Sequence, residues 1–578
     1  MEETSISLEY HINRLPAKAL LYQIKTILQT EKHSIEINMA DDFSKEGKKV
    51  AYFCMEYGID QALKIYSGGL GYLAGSHLRS AHSLNKNFVA IGILWKRGYY
   101  DQVREENQNM KASFLEKNYS FLKDTGIRFT IGVNNSPVHV KALKLPSHIF
   151  QTAPLYLLST DLPENDFLAR SIVDRFYAPE TEAKVAQSIL LGIGGGMLLD
   201  RLGLEPDTYH LNEGHGLPLA FYLFNKYKNI EEVKRRLVFT THTPEKAGND
   251  EHPYELLHRM GFFDYLPLEQ VKGLTGMFGH TLNYTIAALK LSKIANGVSK
   301  IHGKVSKQMW GADGGTCEII SITNAQNEDY WRDAHLKAHH NSGDRQSFLQ
   351  RKDELKKQLF EVVADQTGKL FDPKVLTIVW ARRFAGYKRA DLLLKDYDRF
   401  LRLINGTTEP VQIIWAGKPY PEDYDGVNLF NGLIKLTASL KNCAVLTGYE
   451  LSLSAMLKKG SDIWLNTPRY PREASGTSGM TAAMNGSINF SVADGWVPEF
   501  AKHGVNSFVI PANDSEAYFA RQDDEDLSQL YKILETEVLP TFYHNHARWM
   551  EVVKNSINDV MPYFDSHRMV NEYYDKMY

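Results

Sequence analysis

Short runs of apolar and β-branched residues alternate with longer amphipathic stretches along most of this chain. The apolar runs include residues 87–94, 237–241, 375–380, 411–415 and 462–466. Runs of this length between stretches of helical periodicity are typical of parallel strands joined by crossover helices. The pattern therefore predicts an α/β fold, in which ligands bind at the carboxyl ends of the strands.

The sequence predicts helices in three stretches. Residues 72–84 follow a glycine-rich loop, and the charged stretch 345–358 is expected near a domain junction. Residues 188–200 are apolar and glycine-rich but too short to cross a bilayer, which predicts a buried helix.

Composition narrows the class of protein. With 578 residues, 43% of them hydrophobic, the chain is long enough for two or more domains. The formal charge of −3 favours neither a nucleic acid nor an anionic membrane as partner. The three cysteines lie far apart, and the first residues lack the basic-then-apolar layout of a signal peptide. We expect a cytoplasmic protein with no membrane span.

A basic loop follows the predicted strand 375–380. It places four cations within eight residues: Arg382, Arg383, Lys388 and Arg389. Guanidinium groups bind a phosphate through paired hydrogen bonds, and an ammonium adds a point charge. The loop predicts a phosphate site, with an ordinary solvated helix start as the alternative.

Two further loops are rich in small residues. Gly68, Gly69 and Gly71 precede the helix at 72–84, where backbone N–H groups and the helix terminus suit an anion. Residues 473–479 follow the strand at 462–466, and their small side chains allow the backbone to approach a ligand closely. A tight structural turn is the alternative for this second loop.

Other motif-like features are weaker evidence of function. The glycines at 192–196 follow a helix-like stretch rather than a strand, which argues against a dinucleotide site. His210, His215 and His242 have no recognised ligand spacing, and we predict no metal site. No carboxylate pair is identified as a glycosidase dyad by its spacing.

Seven blocks between about residues 50 and 500 resemble, in order, those of the α-glucan (glycogen and maltodextrin) phosphorylases, and most closely the short bacterial and archaeal type. The blocks are YSGGLG at 66–71, VAIGILWKRGYY at 89–100, YHLNEGH at 209–215, FTTHTP at 239–244, ARRFAGYKR at 381–389, WAGKP at 415–419 and EASGTSGMTAAMNG at 473–486.

The resemblance implies the GT-B fold, with two Rossmann-like domains that face each other across a catalytic cleft. We place an N-terminal, acceptor-side domain at residues 1–350 and a C-terminal, donor-side domain at 351–545. The helical segment 546–578 is expected to pack back on the first domain.

The resemblance also implies retaining sugar transfer, in which charge develops on a leaving phosphate and electrostatic stabilisation is the main requirement. It assigns catalysis to His242, Arg383, Lys388 and Glu473. It assigns phosphate or donor binding to Gly68, Gly69, Gly71, Arg382, Ser475, Gly476, Thr477 and Ser478. Sugar or acceptor contacts fall to Asn212, His215 and Asn324.

This chain departs from the family at the residue that holds the cofactor. Relatives have a lysine there that forms a Schiff base with pyridoxal phosphate, whereas this chain has Thr481. A hydroxyl cannot form an imine, so we expect no covalently held cofactor and regard pyridoxal phosphate as doubtful. Where short phosphorylases have a TNGVH-like segment, this chain reads TNAQN at 323–327, so Asn324 is kept while the glycine and the histidine are replaced. A second departure is a charge pair that follows Pro244.

Three functions remain open at this point. The first is a retaining hexosyltransferase that takes a nucleotide-sugar donor and an α-glucan or related oligosaccharide. The second is an α-glucan phosphorylase that forms a sugar phosphate with the cofactor bound non-covalently or to another lysine. The third is a non-catalytic glucan-binding relative. A homodimer is compatible with each of them.

Overall fold

The computed structural model describes residues 42–43, 45–243, 249–512 and 519–578. The charge pair at residues 245–246 lies outside this part of the chain. All five predicted strands are confirmed, each with its bounds within one residue of the expected ones at either end. The strands are, in chain order, β1 Val50–Phe53, β2 Phe88–Ile93, β3 Asp101–Arg104, β4 Met110–Ser113, β5 Lys123–Val133, β6 Ser136–Leu145, β7 Leu155–Ser159, β8 Thr208–Asn212, β9 Leu237–Thr240, β10 Glu251–Pro253, β11 Thr281–Asn283, β12 Ile294–Gly297, β13 Glu318–Ser321, β14 Leu376–Ala381, β15 Val411–Ala416, β16 Cys443–Leu446, β17 Ile463–Asn466, β18 Ile488–Val492 and β19 Ser507–Ile510.

Two large sheets form the core. The first has nine strands in the order β13-β12-β9-β8-β1-β2-β7-β6-β5. In it β6 pairs antiparallel with both of its neighbours, β5 and β7. The second has six parallel strands in the order β16-β15-β14-β17-β18-β19. Most parallel strands are buried along their whole length, as expected when helices cover both faces of a sheet.

The strand orders locate the ligand site. In the second sheet the chain winds from β14 to β15 and β16 on one side, then to β17 on the other. In the first sheet β1 lies between β2 and β8. Ligands bind outside the carboxyl ends of strands where the winding reverses in this way. The loops after β14 and β17, and those after β1 and β8, are therefore the candidate site.

Helices cover the sheets. They are, in chain order, α1 Gly69–Ser83, α2 Ser147–Phe150, α3 Phe167–Ser171, α4 Thr181–Ile189, α5 Gly195–Arg201, α6 Pro218–Tyr227, α7 Ile230–Arg236, α8 Tyr254–Met260, α9 Leu268–Thr275, α10 Tyr284–Leu291, α11 Lys300–Trp310, α12 Glu328–Trp331, α13 Ala334–Ser342, α14 Arg345–Thr367, α15 Tyr397–Ile404, α16 Tyr424–Thr437, α17 Leu451–Gly460, α18 Ser478–Met484, α19 Val497–Phe500, α20 Phe519–Ile533, α21 Leu539–His544, α22 His546–Phe564 and α23 Ser566–Lys576. No helix in the described part of the chain is long and apolar enough to cross a bilayer.

The junction between the sheets is a continuous helix. The predicted helix at 345–358 is confirmed as α14, which runs on to Thr367. The boundary we expected near residue 350 lies inside it. Its residues Leu359 and Val363 belong to a hydrophobic cluster with strands of the second sheet. At the end of the chain, α23 packs on α1, where Ser80 and Ser566 hydroxyls lie 2.6 Å apart.

The glycines at 192–196 serve helix packing. Residues 190–194 form a π-helical turn between α4 and α5, so the predicted buried helix is confirmed with one wide turn in it. A Cβ on Gly195 would lie 2.5 Å from a ring carbon of Phe53, and one on Gly192 would lie 2.6 Å from the backbone nitrogen of Leu219. Only glycine fits at these two positions, because the chain lies so close to Phe53 of β1 and to Leu219 of α6.

Candidate active site

A cavity of about 850 Å³ lies between the carboxyl ends of the two sheets. Most residues predicted for the site line it: Gly68, Gly69, His215, His242, Asn324, Arg382, Arg383, Lys388, Glu473, Ser475, Gly476, Thr477 and Ser478. Gly71, Asn212 and Thr481 are not among its lining residues. Loops from both sheets thus meet at one site, as the strand orders require.

The four cations of the loop after β14 have different partners. Arg389 is buried and pairs with Asp523 and Asp526 at 2.9 and 2.6 Å, so it anchors the loop to α20. Arg382 and Lys388 both donate to Glu473. Arg383 makes no side-chain hydrogen bond or ion pair with the described residues, and its side chain is solvent exposed where it lines the cavity. Arg383 is the cation of this loop that is available to a ligand.

Glu473 is a buried acid held by two bases. Its Oε2 atom accepts from Arg382 Nη2 at 3.0 Å and from Lys388 Nζ at 2.9 Å. Burial opposes ionisation of this carboxyl group, but Arg382 and Lys388 outweigh it and lower its pKa to about 2. The backbone N–H of Glu473 donates to Asp494, whose pKa is raised to about 7 by burial and by the Glu473 charge. Glu473 is therefore ionised and Asp494 is close to half protonated at neutral pH.

The glycine-rich loop opposes the basic loop. Helix α1 begins at Gly69, three residues before its predicted start. The N–H groups of Ser67 and Gly68 donate to Glu56 Oε2 at 2.7 and 3.2 Å. A Cβ on Gly71 would lie 2.6 Å from the same oxygen, so a side chain at position 71 would collide with Glu56.

Open space lies in front of the loop, since a Cβ on Gly68 or Gly69 would meet nothing within 4 Å. The N–H groups of the first turn of α1 have no intrahelical partner. They are the backbone donors that an anion in the cavity can use, because the Gly68 N–H is already held by Glu56.

His242 is held as a neutral imidazole. Its Nε2 atom lies 2.7 Å from Asn212 Oδ1, and Asn212 in turn donates to the Cys54 sulfur. An amide oxygen only accepts, so this contact places the ring proton on Nε2 and leaves a lone pair on Nδ1. Burial and nearby His302 lower the His242 pKa to about 3. Asn212 therefore orients His242 from behind the cavity wall.

Sequence reasoning missed Glu213, although it lies inside the block at 209–215. It follows β8 with a φ of 74°, a backbone conformation that residues other than glycine rarely adopt. Its Oε1 atom accepts the His242 N–H at 2.5 Å and the Thr243 hydroxyl at 3.2 Å. Burial raises its pKa to about 7. The resemblance marked this block, but neither the burial nor the backbone strain is visible in a sequence.

Several lining residues carry buried polar atoms with no hydrogen-bond partner among the described residues. These atoms are Gln187 Oε1, His215 Nδ1, Tyr284 Oη, Asn324 Oδ1, Arg382 Nη1 and Ser475 Oγ. Unsatisfied buried polar atoms are costly and uncommon in native proteins. Others lie away from the cavity, among them His77 Nε2 and Arg332 Nη2, so these atoms do not by themselves identify a ligand site.

Thr481, the residue that the resemblance places at the cofactor-holding position, lies on α18. Thr481 is 0% exposed, and its hydroxyl donates to the Ser478 carbonyl at 3.0 Å within the helix. A threonine at this position offers no amine. The site therefore does not fit pyridoxal phosphate bonded through residue 481. Among the described residues there is also no cluster of three or more groups able to hold a metal ion.

Comparison with known proteins identifies the family. The family model described as carbohydrate phosphorylase matches residues 320–532. An uncharacterized protein of Methanocaldococcus jannaschii is 45% identical over 92% of this chain and 100% of its own length. The maltodextrin phosphorylase of Thermococcus litoralis is 35% identical, covering 93% of this chain and 71% of the relative. The glycogen phosphorylase of Mycobacterium tuberculosis is 30% identical, covering 92% and 70% respectively.

The chain belongs to the carbohydrate phosphorylase family. The expected α/β fold of GT-B type and the enzyme class, a glycosyltransferase, are confirmed.

Proposed function

We propose that this member of the carbohydrate phosphorylase family is a retaining hexosyltransferase that moves a sugar between a phosphate-bearing donor and an α-glucan, without covalently held pyridoxal phosphate. The observation that carries the proposal is Arg383, a cation without a side-chain partner in the described part of the chain, in a cavity that it shares with the first turn of α1. Both features suit the phosphate of a donor.

The charge balance of the cavity supports an anionic donor. Six basic residues line the cavity: Lys184, Arg382, Arg383, Lys388, Lys418 and Arg472. Four acidic residues line it: Glu56, Glu213, Asp250 and Glu473. Burial raises the pKa of Glu213 to about 7, so this carboxyl group is less fully ionised near neutral pH than an ordinary glutamate. The excess of positive charge matches the leaving phosphate, on which negative charge develops as the bond to the sugar breaks.

The sugar side is built from neutral groups. His242 is uncharged, with its Nδ1 lone pair left by the Asn212 contact, and Glu213 beside it can donate or accept a hydrogen bond near neutral pH. Groups of this kind position ring hydroxyls without opposing the positive charge of an oxocarbenium-like state. Both sheets contribute to the cavity wall, so water is excluded once the donor and the glucan are bound.

Two donors are compatible with the phosphate side. In our first proposal a nucleotide sugar places its sugar-linked phosphate at Arg383 and Lys388 and its second phosphate near Thr477 and Ser478. Both of these residues line the cavity, and the small residues around them allow the backbone to approach an anion closely. The alternative is a phosphorylase that releases glucose 1-phosphate with a non-covalent cofactor, and the names of two relatives favour it. A non-catalytic glucan-binding role accounts less well for the retained cations.

A donor screen separates these functions. Calorimetry with inorganic phosphate, glucose 1-phosphate and several nucleotide sugars identifies the donor, with Arg383→Ala protein as the matched control. NMR of a reaction with a short maltooligosaccharide then reports the anomer of the product. We expect retained configuration and dependence on the acceptor. Inverted product, or hydrolysis without an acceptor, would contradict a transferase and indicate a carboxylate mechanism.

We also infer a cytoplasmic location, and a homodimer remains a prediction that gel filtration tests.

A further inference from the structure

A lysine amine lies buried behind the cavity wall without an acidic partner. Lys458 on α17 is 2% exposed, and its Nζ atom lies 3.8 Å from the centroid of the Trp331 ring and 5.6 Å from that of Tyr72. Within the described residues this amine makes no hydrogen bond or ion pair. Burial lowers its pKa well below the ordinary value. Buried lysines almost always have a partner, so this one needs an explanation.

This amine lies next to the helix that carries Thr481. Asn485 Nδ2 donates to the Trp331 carbonyl at 2.9 Å and to the Thr481 carbonyl at 2.8 Å. Trp331 therefore packs against α18 at the level of Thr481. Tyr72 lies 5.4 Å from Trp331, ring to ring, and its own ring lines the cavity. Trp331 thus contacts both Lys458 and Tyr72, and its carbonyl group is linked through Asn485 to the turn of α18 that holds Thr481.

Tyr72 is held firmly in this position. A Cβ on Gly58 would lie 2.8 Å from Tyr72 Cδ1, so the Gly58 backbone supports one side of the ring. Tyr66 lies 5.6 Å away on another side. The four residues Tyr66, Tyr72, Trp331 and Leu451 form a buried cluster of their own.

The methionines of α18 do not fill this region. Met480 and Met484 pack in a separate cluster with Trp496 and Phe564. A lysine side chain is a four-carbon stem that reaches about 6 Å from its Cα atom. A ring bonded to a lysine at position 481 would have to lie within that reach of α18, close to the Asn485 contact that joins α18 to Trp331.

We propose that Tyr72 and Lys458 close, against the ring of Trp331, the space that an aromatic aldehyde cofactor anchored at position 481 would require. These two side chains, together with the threonine at 481, then determine that the protein works without the cofactor. The inference rests on the proposed function, in which sugar transfer needs no covalently held pyridoxal phosphate.

Three proteins test the closure: the natural protein, Thr481→Lys, and the triple variant Thr481→Lys/Tyr72→Ala/Lys458→Ala. Each is incubated with pyridoxal phosphate, reduced with borohydride and examined by peptide mapping, which separates adducts on exposed lysines. We expect no adduct at 458 or 481 in the natural protein and none at 481 in the single variant. The triple variant should gain about one equivalent at 481, with imine absorbance before reduction.

Three results would overturn the inference. A stoichiometric adduct on Lys458 of the natural protein would make that amine the anchor. Full labelling of Thr481→Lys alone would show that the space is already open. A folded triple variant without an adduct would show that other residues exclude the ring. If the triple variant does not fold, Thr481→Lys/Tyr72→Leu/Lys458→Ala replaces it, and a folded protein of this kind without an adduct at 481 contradicts the proposal.

Sugar transfer by the natural protein without added cofactor is measured in parallel. Adduct formation together with transfer rejects the closure alone, whereas no adduct and no transfer rejects the proposed function alone.

Discussion

Lys388 donates to the Glu473 carboxylate at 2.9 Å, deep in the wall of the cavity. The same oxygen accepts from Arg382, so two cations of the basic loop share one acid. This pairing leaves Arg383 as the cation that faces the cavity without a side-chain partner among the described residues. The loop thus separates into a buried ion-pair cluster and one group available to a ligand.

Replacing Arg383 with alanine should lower the rate of transfer by at least about 100-fold, the scale expected for loss of one preorganised charge-stabilising group. The melting temperature should change little, because the side chain has no partner to lose. Arg383→Lys should also be poor, since an ammonium cannot replace the guanidinium fork. Steady-state kinetics measures the effect. Arg521→Ala is the matched control, because that side chain is 73% exposed and far along the chain. Equal rates for Arg383→Ala and the control would move the chemistry elsewhere.

Replacing Glu473 with glutamine should separate anion binding from catalysis. The change leaves Arg382 and Lys388 without a counter-charge, so we expect a loss of about 3 kcal/mol in folding stability. Inorganic phosphate should bind more tightly, because the net positive charge at the cavity rises by one unit, while sugar transfer falls. Calorimetry and thermal unfolding measure the two effects, with Glu525→Gln as an exposed control. Weaker phosphate binding in Glu473→Gln would contradict this account of the cluster.

Glu213 should make stability depend on pH. Burial raises its pKa from 4.5 to about 7, so between these values the native state binds more protons than the unfolded state. Stability contributed by this group is therefore lost as pH rises from about 4.5 to 7. In Glu213→Gln that loss is absent, and the variant should gain about 1–3 kcal/mol relative to the natural protein between pH 5 and pH 8.

Melting temperatures at the two pH values test this prediction. Asp494, whose pKa is also raised to about 7, is unchanged in both proteins and cancels in the comparison. A difference between variant and natural protein that stays the same at pH 5 and pH 8 would show that Glu213 is not buried as described.

Glu450 should control the contact between the two sheets. It accepts from Lys418 at 2.9 Å and from Gln61 at 2.6 Å, and it also pairs with Lys64, so it joins residues near β1 to the second sheet. Burial opposes its ionisation, but Lys418 and Lys64 outweigh it and lower its pKa to about 2. In Glu450→Gln the ion pairs are lost at neutral pH, and the contact should open more often.

Hydrogen exchange reports this opening directly. The N–H groups of Gly448 and Ser452 donate across the contact to Gln102 and Gln61, each at 3.0 Å. Their exchange should accelerate by about tenfold or more in Glu450→Gln, while the amides of β15 exchange as before. Acceleration throughout the second sheet would instead indicate general destabilisation.

Much of the architecture followed from the sequence alone. Runs such as 411–415 and 462–466 are mostly apolar or β-branched, and their alternation with helical stretches is typical of strands buried on both faces, so an α/β fold with parallel sheets was predictable. The blocks of the basic loop and of 473–486 resembled the family and predicted a phosphate site, because backbone approach and cation spacing are local properties. The inability of Thr481 to form an imine was also predictable from the sequence, because it depends only on the residue type.

Only the tertiary structure decided how those residues are used. Arg382, Arg383 and Lys388 look equivalent in the sequence, and their different roles come from Glu473, about ninety positions away, which packs against two of them. The pKa of Glu213 depends on burial that no local pattern records. Lys458 and Tyr72 are far apart in sequence and meet on Trp331 because three separate helices converge there. Contacts between distant segments set charge, protonation and free space, and these properties exist only once the chain has folded.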